Sequence, residues 1–506
     1  MKYKLFGISA IAALLICALL AQEIEPAKNR YHQHLEAETK APCTEHDETL
    51  FCTHLPLMNI TTDAPVPDPY LYDENGEKLY DDKGSSLKND EMVSATVQYF
   101  DQQESNNHLT DDPTVNERAL IRVRGNSSRL HDKPGYLLKF KNSDLTKSLK
   151  VSLSGMSKDS DWVLHGPFWD KSLIRNYICY NLSGEIMDYA PNVRFCEMFL
   201  NGEYMGVYLI TERVGFHQKG RIDIARSDSE LTSTSYILRV DRGTSDITHS
   251  LQTFANFAYL TATPNHKHQQ LEIIYPGAAL TEQQYRFIQS DFSRFEKALF
   301  SFDYNDPRKG YAKYIDVDSF VDYFIINEFT LNYDAVDLST YLYKDVGGRL
   351  RMCVWDFNSA FDYYQDSLTT PQTFQLQERL WYHLLFKDEA FVDRVAERYE
   401  TLRESFFNEE YLFDYIDSVV EYLGPAIDRN FEKWGYSFNT TYNGVNYDYL
   451  VPTERNVRSY EEAITQIKDT ISARIIYMDE NIDRLYSLCH ESVNKKYNHN
   501  TEGSFG

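Results

Sequence analysis

The first half of the chain carries its apolar residues in short runs broken by polar and turn-forming stretches. The second half carries them at helical spacing. Residues 55–62 and 92–100 read as strands, and the segment between them, with Pro65, Pro67, Pro69, Gly76 and Gly84, reads as loop. Two further short strands are predicted over 119–123 and 136–140, flanking a polar loop. Asp170 stands as a helix N-cap ahead of Leu173, Ile174, Tyr177, Ile178 and Leu182, which share one helical face. Strands over 193–200 and 204–210 flank Asn201-Gly202, a pair that favours the positive φ angles of a tight hairpin turn.

Beyond residue 280 helices dominate. One is predicted over 281–300, and a second is capped by Asp316 or Asp318, with Val317, Phe320, Val321, Phe324 and Ile325 on one face. Helical patterns also cover 378–386, 389–407, 409–434 and 459–486, with an aromatic, polar loop over 439–452. No internal repeat is visible. A β-rich front half and a helical back half predict an α+β fold in two lobes with a cleft between them.

Composition narrows the function classes. The chain has 506 residues, 42% of them hydrophobic, with 38 Tyr and 29 Phe, enough for a large aromatic core. Its formal charge of −25 argues against nucleic acid as a partner. Any nucleotide site must be a local basic pocket, and basic protein or peptide partners suit the surface better. Lys2 and Lys4 precede an apolar stretch over 5–21 that ends at Ala21. It is short for a spanning helix, so residues 1–21 are expected to be a signal peptide and the protein to be secreted or held at the cell surface. Residues 22–50 read as a polar linker and 491–506 as a polar tail, and no later stretch is long and apolar enough to span a membrane. Cys179, Cys196 and Cys353 lie in apolar segments, as small buried residues do.

Two stretches carry candidate chemistry. In the first, a helix ends near Leu331, Asn332-Tyr333-Asp334 follows, and strands over 340–344 and 349–354 join at Gly347-Gly348 and deliver Trp355-Asp356-Phe357-Asn358. A hairpin returns the chain to its starting end, so Asp334 and Asp356 are expected at the same end of it. Two carboxylates there make a hard, oxygen-rich site suited to Mg²⁺, or one of them orients a hydroxyl nucleophile and takes its proton. The plainer alternative is that both are turn or capping residues. In the second stretch, Arg122, Arg124, Arg129, Lys133 and Lys139 cluster around Gly125-Asn126-Ser127-Ser128, a loop able to cover phosphates. It lacks the spacing and the Gly-Lys-Ser/Thr of a P-loop, and an exposed basic edge is its plainer reading.

These stretches together resemble one family. Ile121-Arg-Val-Arg-Gly-Asn-Ser-Ser-Arg129, the strand from Lys133 to Phe140, Trp162-Val-Leu-His165, and Asp170 to Asn176 are similar to successive blocks of the spore-coat-protein-H (CotH) kinase family. So are Asn201-Gly-Glu-Tyr-Met-Gly-Val-Tyr-Leu-Ile-Thr-Glu212, Asn332-Tyr-Asp334, Tyr341-Leu-Tyr-Lys-Asp345 and Trp355-Asp-Phe357. The resemblance covers about residues 51–490 and implies an atypical protein-kinase-like two-lobed fold, with a β-rich lobe over about 51–215 and a mainly helical lobe over about 280–490. It implies an enzyme that uses ATP with Mg²⁺ or Mn²⁺ to phosphorylate Ser or Thr hydroxyls of coat, envelope or extracellular proteins. Asp334 would be the catalytic acid–base residue and Asp356 the metal-binding Asp, with Lys139, Arg124 and Arg129 as phosphate contacts. Glu212 would lie near the adenine at the hinge, and Arg175 would reach the cleft or form an ion pair. Two departures stand out. Ser339 occupies the place where kinase-like loops carry a metal-binding Asn, with Asp337 two residues earlier as a substitute, and Asn358 stands where the family often has an Asp. They leave room for a catalytically impaired surface protein, an adhesin or a structural coat component.

Overall fold

The computed structural model describes residues 30–37, 51–80, 86–216, 221–241, 249–255, 270–364 and 370–492. Seven strands form a closed barrel: β1 (Leu57–Thr62), β2 (Val93–Phe100), β3 (Val115–Arg124), β4 (Gly135–Lys141), β5 (Asp161–His165), β6 (Val193–Leu200) and β7 (Glu203–Glu212). Their order is β1-β2-β3-β4-β5-β7-β6, and the barrel closes by parallel pairing of β6 with β1, which leaves no open edge. Alternate residues point inward and fill it, among them Val97, Tyr99, Ile121, Leu138, Trp162 and Met198. The hairpin between β6 and β7 turns at Asn201 (φ 52°) and Gly202 (φ 82°), as that dipeptide predicts.

The outer face of β6 and β7 also carries apolar residues. Val193, Phe195, Val207 and Leu209 join a second, larger core with helix α1 (Arg175–Ile186), which is buried on nearly all sides. The helix begins later than the sequence implies. Asp170 sits ahead of it, and its carboxylate accepts from the Arg175 N–H at 3.0 Å while pairing with the Arg175 guanidinium at 2.6 Å.

The second half combines helices with an antiparallel sheet: β8 (Tyr236–Asp241), β9 (Ser250–Leu251), β10 (Gln270–Tyr275), β11 (Thr340–Lys344) and β12 (Arg351–Cys353), ordered β9-β10-β8-β11-β12. Three of these strands precede residue 280, and the stretch over about 280–490 is mainly helical, as expected. Helix α2 (Glu282–Phe300) starts in a capping box between Thr281 and Gln284, and α3 (Val317–Phe329) is capped by Asp316, whose carboxylate accepts from the Ser319 N–H. α4 (Glu389–Arg403), α5 (Glu409–Leu423), α6 (Pro425–Trp434) and α7 (Tyr460–Asn481) follow. The single helix predicted over 409–434 is two. Gly424 adopts φ 44° and Pro425, which has no N–H to give, opens the next helix. Residues 378–386 yield only one turn, Tyr382–Leu385. Helix α6 ties the halves together: Asn430 Oδ1 accepts from Lys133 Nζ at 2.7 Å and from the Val207 N–H at 3.2 Å, and Trp434 Nε1 donates to the Met205 carbonyl.

Of the segment expected as a polar linker, residues 30–37 are described and packed, with His32, Gln33 and His34 buried. Their partners are polar side chains and backbone, so no apolar periodicity marks them. The expected signal peptide, residues 1–21, lies outside the described residues, as does 493–506 of the expected tail. Among the described residues no helix is long and apolar enough to cross a membrane. Cys179, Cys196 and Cys353 are buried, as their setting predicts.

Candidate functional site

The β11–β12 hairpin brings the two acids to one end, as the sequence predicts. The link between them is a short polar chain. Asn332 Nδ2 donates to the Asp356 carbonyl at 3.3 Å, and Ser359 Oγ donates to Asn332 Oδ1 at 3.1 Å and lies 3.4 Å from Asp334 Oδ2. Asn332 is itself braced by Asn327 Oδ1 at the end of α3, at 3.0 Å. Backbone here is held in conformations that L-residues seldom adopt: Leu331 (φ 50°), Val336 (72°), Ser339 (51°) and Asp356 (64°) all lie in the left-handed region. Four such residues within one constellation fit a functional site, where packing sustains strain that a loop alone would shed.

Helix α1 grips the acidic segment from the other side. The Asp356 N–H donates to Tyr180 Oη at 3.0 Å, and the Phe357 N–H donates to Asn176 Oδ1 at 3.0 Å. Asn176 Nδ2 donates to Asn358 Oδ1 at 2.7 Å and lies 3.3 Å from His165 Nε2. Burial lowers the His165 pKa to about 4, with smaller contributions from nearby charges, so the ring is neutral at pH 7. Among charged neighbours of Asp356, Arg124 acts most strongly. Burial pushes the Asp356 carboxyl up, and Arg124 pulls it back. The same burial lowers the Arg124 pKa, opposed by Asp356. The Arg124 guanidinium lies 5.6 Å from the Trp355 ring. Gly125, next along, takes φ 117°, and a Cβ there would meet Ser128 Oγ at 2.0 Å, so the tight turn beside Arg124 requires glycine.

The other sequence-derived candidates fall in several places. Lys139 pairs with Leu120 in the β3–β4 register, whereas Arg124 pairs with Gly135. Lys139 therefore lies four residues, or ~13 Å, along β4 from the Arg124 row, opposite Asp161. Arg129 is buried and latched: its guanidinium donates to the carbonyls of Gly125, Pro69 and Asn89 and pairs with Asp90 at 2.6 Å. Glu212 is buried, accepts two hydrogen bonds from Asn192 at 3.0 Å and faces Arg221 at 3.5 Å. Asp337 pairs with Arg379 at 3.4 Å, and Ser339 sits at the strained entrance to β11. Arg175 is an ion-pair residue, bound to Asp170 and donating to the Ala360 carbonyl at 3.0 Å. Sequence reasoning did not single out Asn332, Ser359, Tyr180 or Asn176 as site residues. Two of them carried a signal: Asn176, like His165, closes a block of the family resemblance, and Asn332 opens the block that ends in Asp334. Among the described residues no three His, Cys, Asp or Glu side chains gather into a metal cage by themselves.

A closed barrel followed by a mainly helical half that carries an antiparallel sheet makes this an α+β protein, in which the Asp356 carbonyl and Asp334 are joined through Asn332 and Ser359. The family model described as CotH kinase protein matches residues 121–478, and the chain belongs to that family. It is also similar to "Inner spore coat protein H" of Bacillus subtilis (strain 168), with 22% identity over 263 residues. That match covers 50% of this chain and 63% of the relative's length.

Proposed function

We propose that the protein is an atypical kinase of two-lobed, kinase-like plan. It transfers phosphate from ATP, with Mg²⁺ or Mn²⁺, to Ser or Thr hydroxyls of a coat, envelope or extracellular protein. The observation that supports the reading is the polar chain from the Asp356 carbonyl through Asn332 and Ser359 to Asp334, together with Arg124 as the strongest charged neighbour of the Asp356 carboxyl. Asp356 with Asn358 Oδ1 offers a hard oxygen donor set. Mg²⁺ commonly takes one or two carboxylates from the protein and fills its shell with phosphate oxygens and water, so a site of few protein ligands suits it. The bound cation would supply charge neutralisation at the phosphates. Arg124 neutralises phosphate charge from the barrel side, and Asp334 orients the acceptor hydroxyl and takes its proton. The net charge of −25 favours a basic acceptor protein. The spore-coat name of the relative supports a coat or envelope setting.

A second reading rests on the metal ligands. Asp337 is paired with Arg379, and Asn358 Oδ1 already accepts from Asn176. This weakens the second-metal position and favours a catalytically impaired surface protein, working as an adhesin or structural coat component.

Transfer of the ATP γ-phosphate to the protein itself or to a basic acceptor, with thermal shift by ATP and Mg²⁺, separates the two. An active kinase gives transfer and a shift. Asp334→Asn keeps the shift and loses on the order of 10²-fold or more in transfer, the usual contribution of an acid–base group. Asp356→Asn loses both. Transfer that survives Asp356→Asn, or a wild type that gives neither transfer nor shift, rejects the kinase reading.

A further inference from the structure

The segment Arg30–His34 occupies a groove formed by α1, α5 and the start of β6, and its fit is specific. Arg30 Nη1 donates to the Tyr180 carbonyl at 2.8 Å. Its Nη2 donates to the Pro191 carbonyl at 2.9 Å and to Asn192 Oδ1 at 3.0 Å. The Gln33 side-chain amide pairs with the backbone of Phe195, donating to its carbonyl at 3.2 Å and accepting its N–H at 2.7 Å, as a neighbouring strand would. His32 bridges Tyr415 Oη and Glu185 Oε1, each at 2.7 Å, with the His32 and Glu185 side chains wholly excluded from solvent. His34 Nδ1 lies 2.8 Å from Tyr177 Oη. The groove is shaped for the arginine: a Cβ on Gly184 would lie 1.8 Å from Arg30 Nη1 and 2.3 Å from its Cδ.

Glu185, Tyr177, Tyr180 and Gly184 all belong to α1, the helix that grips the acidic segment. Tyr180 links the two faces. Its carbonyl accepts from Arg30, and its hydroxyl accepts the Asp356 N–H at 3.0 Å. We infer that Arg30–His34 is a strap that sets the position of α1 and, through Tyr180 and Asn176, the position of the Asp356–Asn358 segment. Arg30 and His32 are positioning residues on this account, remote from any ligand. The inference concerns geometry and does not rest on which reaction the site performs. A docked polar strap of this kind is also a control point, because anything that draws it out of its groove loosens the acid-bearing segment without touching it.

Gly184→Ala tests the strap without altering any polar group. Intrinsic helix propensity alone favours Ala within a helix and predicts a tighter α1. The strap predicts the reverse, because the new methyl evicts Arg30. Amide hydrogen exchange in the full chain, followed on the peptide that contains Asp356 and Phe357, reads the difference with no dependence on activity. Gly184→Ala and Arg30→Ala are each expected to speed exchange there on the order of tenfold, with β2 and β3 on the barrel unchanged. The double variant should add nothing to either single one, since both remove the same contact. Unchanged or slower exchange at Asp356–Phe357 in Gly184→Ala, equal acceleration across the barrel, or additive effects in the double variant would each overturn the inference. Should Arg30→Ala fold too poorly to measure, Gly184→Ala alone decides.

Discussion

Asn176 is the residue whose removal most directly tests how α1 holds the acidic segment. Its Oδ1 is the acceptor for the Phe357 N–H, and its Nδ2 donates to Asn358 Oδ1. In Asn176→Ala the Phe357 N–H loses that acceptor. Phe357 is fully buried, and an unmet buried donor costs about 1–3 kcal/mol. Loss of the bond to Asn358 adds about 1 kcal/mol. Replacing Asn by Ala in a helix returns about 0.5 kcal/mol. The balance is a destabilisation of about 1.5–3.5 kcal/mol, read as a lower urea midpoint at unchanged slope. A double-mutant cycle with Asn358→Ala isolates the amide–amide bond, expected at about 1 kcal/mol of coupling. A loss below ~0.5 kcal/mol for Asn176→Ala, within the range of an ordinary surface change, would refute the claim that this side chain clamps the segment.

Three further outcomes follow from the same geometry. Arg474 and Glu328 form a fully buried ion pair at 3.2 Å, in which Arg474 also donates to the Pro371 and Thr373 carbonyls at 2.7 Å. Arg474→Met should therefore cost about 3–5 kcal/mol in a denaturant titration, because Glu328 is left charged without its partner. Lys171 is buried among the rings of Phe168, Trp169 and Phe438, and burial lowers its pKa from 10.5 to about 7, with Asp170 and Asp132 opposing. The unfolded chain binds its proton more readily, so between about pH 7 and pH 10 wild-type stability should rise relative to Lys171→Met. A wild-type-minus-variant stability that falls or stays flat in urea titrations across that range contradicts this. Arg124→Ala should weaken ATP binding in a thermal-shift titration while Lys139→Ala leaves it unchanged, since only Arg124 stands beside Asp356.

The parts of the fold that were legible in the sequence are those with local signals. Asn201-Gly202 gave the β6–β7 hairpin, and the 340–354 strand pair placed Asp334 and Asp356 at one end, because a hairpin constrains its own ends. Barrel closure was not legible: β1 and β6 pair in parallel from opposite ends of the barrel sequence, which leaves no local pattern. Strands β8 and β10 escaped notice for a related reason, since β10 and β11 flank β8 from distant parts of the chain. In the site, carboxylates and arginines drew attention as charges, while the neutral residues that fix them did not. Asn332, Ser359, Asn176 and Tyr180 matter through single hydrogen bonds set by tertiary position. Charge alone does not separate a phosphate contact from a structural ion pair: Arg129, Glu212 and Arg175 are as conspicuous in sequence as Arg124, yet Arg129 pairs with the exposed Asp90, Glu212 faces the buried Arg221 and Arg175 pairs with the buried Asp170. Residues 30–37 read as linker because the groove takes them by polar contacts, which composition scores as solvent-exposed.

The central claim is that Asp334, Asp356 and Arg124 serve one cation and one nucleotide. A crystal of the protein soaked with ATP and Mn²⁺, with anomalous scattering to locate the metal, tests it most directly. The account predicts a metal peak at coordination distance, ~2.1 Å, from an Asp356 carboxylate oxygen, with the phosphates turned towards Arg124. A peak elsewhere, or phosphates gathered at Lys139 four residues further along β4, contradicts it.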